Sequence, residues 1–153
     1  MKKPEILAPA ADFSMLNAAI KAGADSVYFG VTVLNMRAKA KNFELNQLKK
    51  VVEICHKNNV RAYLTLNTIV YENELELVEK ILKQAKKAGI DAIIAWDMAV
   101  ITKAIKLNME VHLSTQASAS NSEALKFYKN LGIKRAVLAR ECSIEQIKEI
   151  KSK

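Results

Sequence analysis

Cysteine is scarce in this sequence. Only Cys55 and Cys142 occur among 153 residues, too few and too far apart to predict a disulfide framework or a metal cluster. Glycine and proline are also scarce, with four and two residues, whereas half of the residues are hydrophobic. One compact domain with an ample apolar core is therefore expected.

Long apolar runs and a secretory leader are absent as well. No stretch approaches the roughly 18 unbroken apolar residues that a membrane span requires. The N-terminal segment MKKPEILAPA has two lysines but no apolar leader with a cleavage site, because EILAPA is only as long as a strand. These absences predict a cytoplasmic protein without a membrane partner.

The net charge of +8 fits a polyanionic partner such as RNA. Most lysines, however, fall on helix faces such as KKAG and KNLG, where lysine is solvated and favours helix C-termini. The interpretation as an RNA partner stays open for one loop, in which Arg37, Lys39 and Lys41 alternate with alanine and would share one side of an extended chain.

Short apolar runs alternate with longer amphipathic ones. Strands are predicted at 5–8, 26–29, 61–66, 92–95, 110–114 and 135–139, and helices at 12–22, 45–58, 73–88, 99–107, 122–131 and 143–151. Asp12 and Ser143 are predicted helix caps, the latter in a capping box with Gln146. Gly23, Gly89 and Gly132 each follow a helix and precede a strand, which is typical of αβ loops.

Six such βα units predict a parallel sheet with helices outside, either doubly wound or a barrel. The first strand is not followed by G-x-G-x-x-G, which disfavours dinucleotide binding. Val111 and Leu113 alternate with Glu110, His112 and Ser114, so that one strand face is polar. A polar second face favours a barrel lumen over a sheet covered on both faces. The predicted fold is therefore a partial TIM-type (β/α) barrel with about six βα units, parallel strands and helices outside.

A closed barrel has eight units and about 250 residues. We therefore expect residues 1–153 to be the N-terminal portion of a barrel catalytic domain in a longer chain, with the remaining units absent here. Self-association through the open sheet edges is the alternative.

Polar side chains follow nearly every predicted strand, at the end where barrels carry their active sites. Tyr28 and Tyr63 are expected to line the lumen, where their rings either stack on a ligand or simply pack in the interior. The candidate substrate-binding residues are Asn35, Arg37, Lys39, Asn67, Ser114, Gln116, Asn121, Arg140, Tyr28 and Tyr63, and the candidate catalytic residues are His112, Glu141 and Asp97.

Each of these candidates has a structural alternative. His112 is as well explained by a structural hydrogen bond inside the barrel, and Asn121 by capping of the fifth helix. Arg140 could anchor a carboxylate and Glu141 could act as an acid or base, or the two could form a plain salt bridge. No H-E-x-x-H or G-x-S-x-G motif occurs, and the strand spacing keeps His112 and Ser114 from a direct catalytic pair.

Several segments resemble the N-terminal part of the peptidase U32 family, which includes collagenase-like proteases and RNA hydroxylases. The segments are APAADF, GADSVYFG, NMRAKAKNF, TLNT, HLSTQAS and LARE. Two departures are visible: Ala11 replaces the family's usual glycine, and Asp97 is not followed by the Pro-Gly that often follows the family's aspartate.

The resemblance implies a TIM-barrel-like catalytic domain. It also implies either peptide hydrolysis or oxygen-independent hydroxylation of tRNA, of rRNA or of a ubiquinone precursor, with prephenate as the hydroxyl source in the RNA branch. The family's cysteines, which bind an iron–sulfur cluster, are expected further along the chain, and no metal site is assigned to these residues. Three hypotheses follow: an RNA hydroxylase, a collagenase-like peptidase, and a barrel fragment or binding module that is inactive alone.

Overall fold

The computed structural model describes residues 3–34 and 42–153. The strands are β1 (Leu7–Pro9), β2 (Ser26–Gly30), β3 (Arg61–Leu66), β4 (Ala92–Ala95), β5 (Val111–Leu113) and β6 (Arg135–Ala136). The helices are α1 (Phe13–Lys21), α2 (Leu48–Lys57), α3 (Leu75–Ala88), α4 (Met98–Lys106), α5 (Ser122–Asn130) and α6 (Ile144–Ser152).

The six strands form one parallel sheet in the order β1-β2-β3-β4-β5-β6. The sheet curls into a half-barrel with the helices outside, so the predicted fold class is confirmed. This order leaves β1 and β6 as the two edges of the sheet. Because all strands are parallel, their carboxyl ends meet at one rim of the half-barrel and their amino ends at the other.

Several boundaries differ from the prediction. The sixth strand was predicted at 135–139, but only Arg135 and Ala136 pair with β5. The chain then turns away, because the backbone N–H of Ala139 donates to the carbonyl of Ala119 in the loop after β5. The second and third helices begin later than predicted, since 3₁₀ turns at Leu45–Gln47 and Glu72–Glu74 precede them.

The predicted helix signals are confirmed. Asp12 accepts a hydrogen bond from the backbone of Met15, and Ser143 forms the capping box with Gln146. Gly89 ends α3 with a φ of 86°, a backbone conformation that glycine adopts without steric cost.

The two faces of the sheet bury different residues. Outward-facing strand residues such as Val27, Leu64 and Ile93 are buried against the helices. The inner face carries a separate small cluster in which Tyr63 packs with Ala92 and Ile94. This division is the one expected of a barrel wall, whose inward residues fill or line a lumen. No helix among the described residues is long and apolar enough to cross a membrane.

Candidate functional site

A cavity of about 520 Å³ opens at the carboxyl rim of the half-barrel. Strands and loops from both sheet edges contribute to it, so it lies between the two edges and above the inner face. Its lining residues are Leu7, Pro9, Ala10, Ala11, Met15, Tyr28, Phe29, Gly30, Asn42, Thr65, Asn67, Ile94, Ser114, Thr115, Gln116, Val137, Leu138 and Arg140. The volume is within the range of small-molecule sites.

The segment after β5 gives the cavity its polar wall. Ser114 is buried and its hydroxyl donates to Oε1 of Gln116. A 3₁₀ turn at Thr115–Ala117 follows, and Ser118 ends it in the left-handed region with a φ of 49°. The turn carries Thr115 and Gln116 into the cavity lining. The segment after β5 is therefore a turn that presents a hydroxyl and an amide to the site.

The rest of the lining is largely apolar. Leu7, Met15 and Val137 remain partly exposed on the cavity walls. Arg140 is the one charged side chain among the described residues that line the cavity. The cavity therefore suits a ligand that combines an apolar or ring-shaped body, a hydrogen-bonding edge and one negative group.

The structure places the predicted site residues in several different locations. Five of them line the cavity: Tyr28, Asn67, Ser114, Gln116 and Arg140. Tyr63 and His112 lie lower in the lumen. Glu141 is exposed on the turn that follows Arg140 and is not among the lining residues. Asn35, Arg37 and Lys39 lie outside the described residues, so the predicted basic loop stays a prediction.

A second polar network, which we call the Glu5 network, lies at the opposite rim. Oε1 of Glu5 accepts hydrogen bonds from the hydroxyls of Ser26 (2.7 Å) and Tyr63 (2.8 Å). Oε2 accepts from Arg61 (3.0 Å) and Arg135 (2.7 Å). Ser26, Arg61 and Arg135 are each the first residue of a strand, which places the network at the amino rim.

The charges of this network are strongly coupled. The hydrogen bond from Arg135 is the largest cause that holds the pKa of Glu5 well below its usual range, although partial burial opposes it. Burial and the bond to Glu5 raise the pKa of Tyr63 to about 12. At neutral pH, Glu5 is therefore an anion and Tyr63 a neutral donor.

His112 lies in the lumen beside the Glu5 network and below the cavity. Its Nε2 lies 2.7 Å from Oε1 of Glu110 and its ring packs edge-on against Tyr63. Burial lowers the pKa of His112, so the ring is neutral at pH 7 and Nε2 donates to the carboxylate. Ser114, two residues after His112, donates its hydroxyl to Gln116 instead. The catalytic role predicted for His112 stays a prediction, and its observed contacts are those of a structural histidine.

Two further candidates have observed roles as helix caps. Asp97 accepts from the backbone N–H of Ala99 at the start of α4 and, through its other oxygen, from that of Val70. Asn121 accepts from the backbone of Ala124 at the start of α5. A local capping motif explains both residues without a ligand.

The double role of Asp97 gives a testable prediction. Asp97→Ala leaves two backbone donors without their acceptor and is expected to lower the free energy of unfolding by about 2 kcal/mol. Asn121→Ala, the matched control, removes one cap and is expected to cost about 1 kcal/mol. Urea unfolding of both variants measures the difference. Asp97→Asn keeps one of the two acceptor oxygens and is expected to fall between wild type and Asp97→Ala in stability. If Asp97 instead takes part in chemistry, Asp97→Asn will abolish turnover of the full-length protein while the protein stays folded.

The sequence analysis did not predict several residues of the cavity and of the Glu5 network. Thr65, Ile94 and Met15 line the cavity, but none of them is among the predicted site residues. Glu5 had been taken as part of the first strand, but it precedes β1 and reaches Arg135, 130 positions away. No local pattern signals a pairing of that separation.

Cys55 and Cys142 are both free thiols. Cys55 is fully buried in α2, and burial raises the pKa of its thiol to about 11. Within the described ranges, no three His, Cys, Asp or Glu side chains are grouped so that they could hold a metal ion. These residues therefore do not fit the iron–sulfur cluster that the family resemblance implied, and the cluster stays a prediction for a longer chain.

Comparison with known proteins places the chain in a family. It is 48% identical over 147 residues to a collagenase from Porphyromonas gingivalis, covering 95% of this chain and 35% of that protein. It is 38% identical over 154 residues to tRNA hydroxylation protein P1 from Bacillus subtilis, covering 99% and 36%. The chain thus spans about a third of the length of these relatives.

The fold has a counterpart among solved structures. The U32 peptidase Mk0906 matches with a TM-score of 0.76 at 12% identity, over 98% of this chain and 65% of that one. A sequence model of peptidase family U32 matches residues 11–153. The chain belongs to peptidase family U32.

Proposed function

We propose that this chain is the barrel portion of a U32 enzyme that hydroxylates tRNA or rRNA without oxygen, with prephenate as the hydroxyl source. The observation that carries the proposal is the cavity at the carboxyl rim, whose described lining combines one cation with amide, hydroxyl and aromatic side chains. The similarity to a tRNA hydroxylation protein supports RNA as the substrate class. An enzyme of this kind would work in the cytoplasm.

The lining residues have distinct tasks in this proposal. Arg140 pairs with a negative group, a phosphate of the RNA or a carboxylate of the co-substrate. Gln116 and Asn67 offer amide groups that read the edge of a base, as amides do in other RNA sites. Tyr28 offers a ring face for stacking. The apolar walls exclude water from whatever the polar groups hold.

Peptide hydrolysis is the second candidate, favoured by the similarity to a collagenase. A peptidase needs a nucleophile beside a base, or a metal-bound water. Ser114 lies at the cavity, but its hydroxyl donates to Gln116, and His112 is held by Glu110 in the layer below. The observed contacts therefore disfavour a Ser–His mechanism.

Nucleoside mass spectrometry of tRNA and rRNA from a strain that lacks the gene tests the proposal. We expect one hydroxylated pyrimidine to disappear and to return when the full-length gene is restored. The chain 1–153 alone is expected to be inactive in the same complementation. An unchanged nucleoside profile, together with gelatin hydrolysis by the purified full-length protein, would overturn the proposal and support the peptidase.

A further inference from the structure

Ser114 occupies a position where a serine usually caps a turn. It precedes the 3₁₀ turn at Thr115–Ala117, and a serine in that position normally accepts a hydrogen bond from a backbone N–H of the turn. Within the part of the chain that the structure describes, Ser114 makes no such capping bond. Its buried hydroxyl donates to Oε1 of Gln116 instead. The hydroxyl therefore fixes a side chain of the cavity wall and not the backbone of the turn.

The backbone that carries the two residues is held in place. The N–H of Ser114 donates to the carbonyl of Ala95, the last residue of β4 (2.8 Å), and the N–H of Ala117 donates to the carbonyl of Ser114 (3.1 Å). Gln116 lies between these two anchored residues. Because its backbone is fixed in this way, the direction of its amide depends on the bond from Ser114.

Hydrogen-bond accounting shows which end of the amide meets Ser114. A buried hydroxyl proton needs an acceptor, and Oε1 of Gln116 is the only one that this hydroxyl has among the described residues. With the amide reversed, Nε2 would donate to the hydroxyl, and the hydroxyl proton would be left unsatisfied. In the observed orientation, Nε2 has no acceptor among the described residues and is available to the cavity that Gln116 lines.

Two other hydroxyls of the lining differ from this amide in what they offer a ligand. Thr65 donates to the carbonyl of Phe29 (3.0 Å), and Thr115 donates to that of Leu138 (3.4 Å). Because their protons are used within the protein, these hydroxyls can only accept from a ligand. The NH2 group of Gln116 can only donate, so the ligand atom opposite it must be an acceptor.

We propose that Ser114 is a positioning residue that holds the amide of Gln116 with its NH2 group turned into the cavity, where it binds an acceptor oxygen of the ligand. That oxygen is a carbonyl of the substrate base or a carboxylate of the co-substrate, because both offer lone pairs and no proton. A donor at the same point would leave two donors facing each other without an acceptor, which weakens binding. The inference rests on the proposed function only in taking the cavity as the substrate site.

Steady-state kinetics of the full-length enzyme test the positioning role. Ser114→Ala is expected to raise one KM about fivefold and to leave kcat within about twofold, because the amide is then free to turn and about one neutral hydrogen bond is lost. Gln116→Met is expected to raise the same KM about tenfold. Adding Ser114→Ala to Gln116→Met is expected to have no further effect, since Ser114 acts through the amide.

The two substrates are titrated separately. A rise in the KM for RNA identifies the base carbonyl as the bound oxygen, and a rise in the KM for prephenate identifies the carboxylate. Ser120→Ala, which removes an exposed hydroxyl from the same loop, is expected to change neither KM. Unchanged KM values in Ser114→Ala would overturn the proposal, as would a loss of kcat at constant KM or a further effect of Ser114→Ala in the Gln116→Met variant.

A ligand-free measurement separates this inference from the proposed function. In full-length protein with isotope-labelled glutamine, the Nε2 protons of Gln116 are identified by the signals that disappear in Gln116→Met. They are expected to exchange with water as fast as those of Gln84, which is exposed on α3. Much slower exchange than in Gln84 would place Nε2 against Ser114 and overturn the inference. If the enzyme formed no hydroxylated nucleoside, the proposed function would fail, and the exchange rates would still decide the inference.

Discussion

Glu5→Ala is expected to lower the free energy of unfolding by about 2 to 3 kcal/mol, because it removes one carboxylate that accepts four hydrogen bonds. Tyr63 is fully buried, so its hydroxyl loses its partner out of reach of water. Arg61 and Arg135 are about half exposed and can be solvated again, which keeps the loss below that of a wholly buried ion pair.

Urea unfolding at pH 7 measures this loss, with Glu53→Ala as the control. Glu53 pairs with Lys49 at 3.8 Å on the exposed face of α2, and its removal is expected to change stability by less than about 0.5 kcal/mol. If the two substitutions lowered the free energy of unfolding equally, the stabilising role of the Glu5 network would be contradicted.

Glu5→Ala also changes how the stability of the protein depends on pH. The pKa of Glu5 is lower in the folded protein than in the unfolded chain. Its stabilising contribution is therefore fully present above the unfolded pKa of about 4.3 and is lost as the pH falls toward the folded value. Between about pH 5 and pH 3, the wild type is expected to lose more stability than Glu5→Ala.

Arg140→Glu is expected to lower kcat/KM of the full-length enzyme about 100-fold, because it puts a carboxylate where the proposed substrate or co-substrate carries its own negative group. Loss of a charge-assisted pair costs about 1.5 to 3 kcal/mol, and each 1.4 kcal/mol is a factor of ten. Arg140→Lys keeps the charge but loses the two-pronged donor and is expected to cost about tenfold.

Lys80→Glu is the matched control for Arg140→Glu. Lys80 is exposed on α3, on the outer side of the half-barrel, and the same charge reversal there is expected to leave kcat/KM within about twofold. The rate of formation of the hydroxylated nucleoside measures all three variants. Full activity of Arg140→Glu would contradict the proposal that Arg140 binds the negative group of the substrate or co-substrate.

The fold was predictable because its signals are local. Every helix except α2 has a cap or a glycine end that can be recognised within a few residues, such as Ser143 with Gln146 or Gly89 with a φ of 86°. Strand alternation correctly indicated that His112 faces away from the helices, because side chains on a strand alternate with period two.

The site was less predictable, because its position along the strand depends on register and on distant partners. His112 and Ser114 lie two residues apart on the same face, yet one joins the lower layer through Glu110 and Tyr63 and the other lines the cavity. The catalytic role predicted for Asp97 at a strand end stays a prediction, and its observed contacts are with the backbone of Ala99 and Val70. The contacts of these side chains depend on three-dimensional packing, which sequence spacing does not show.

Photocrosslinking of RNA to the cavity wall tests the central claim, that the carboxyl-rim cavity holds the substrate, most directly. Benzoylphenylalanine is introduced at Val137, which lines the cavity, or at Phe127, which is exposed on α5, and the full-length protein is irradiated with total tRNA and rRNA. We predict a specific RNA adduct, mapped to one pyrimidine, at position 137 and none at 127. An adduct confined to 127, or none at 137 while the enzyme is active, would contradict the assignment of the cavity as the substrate site.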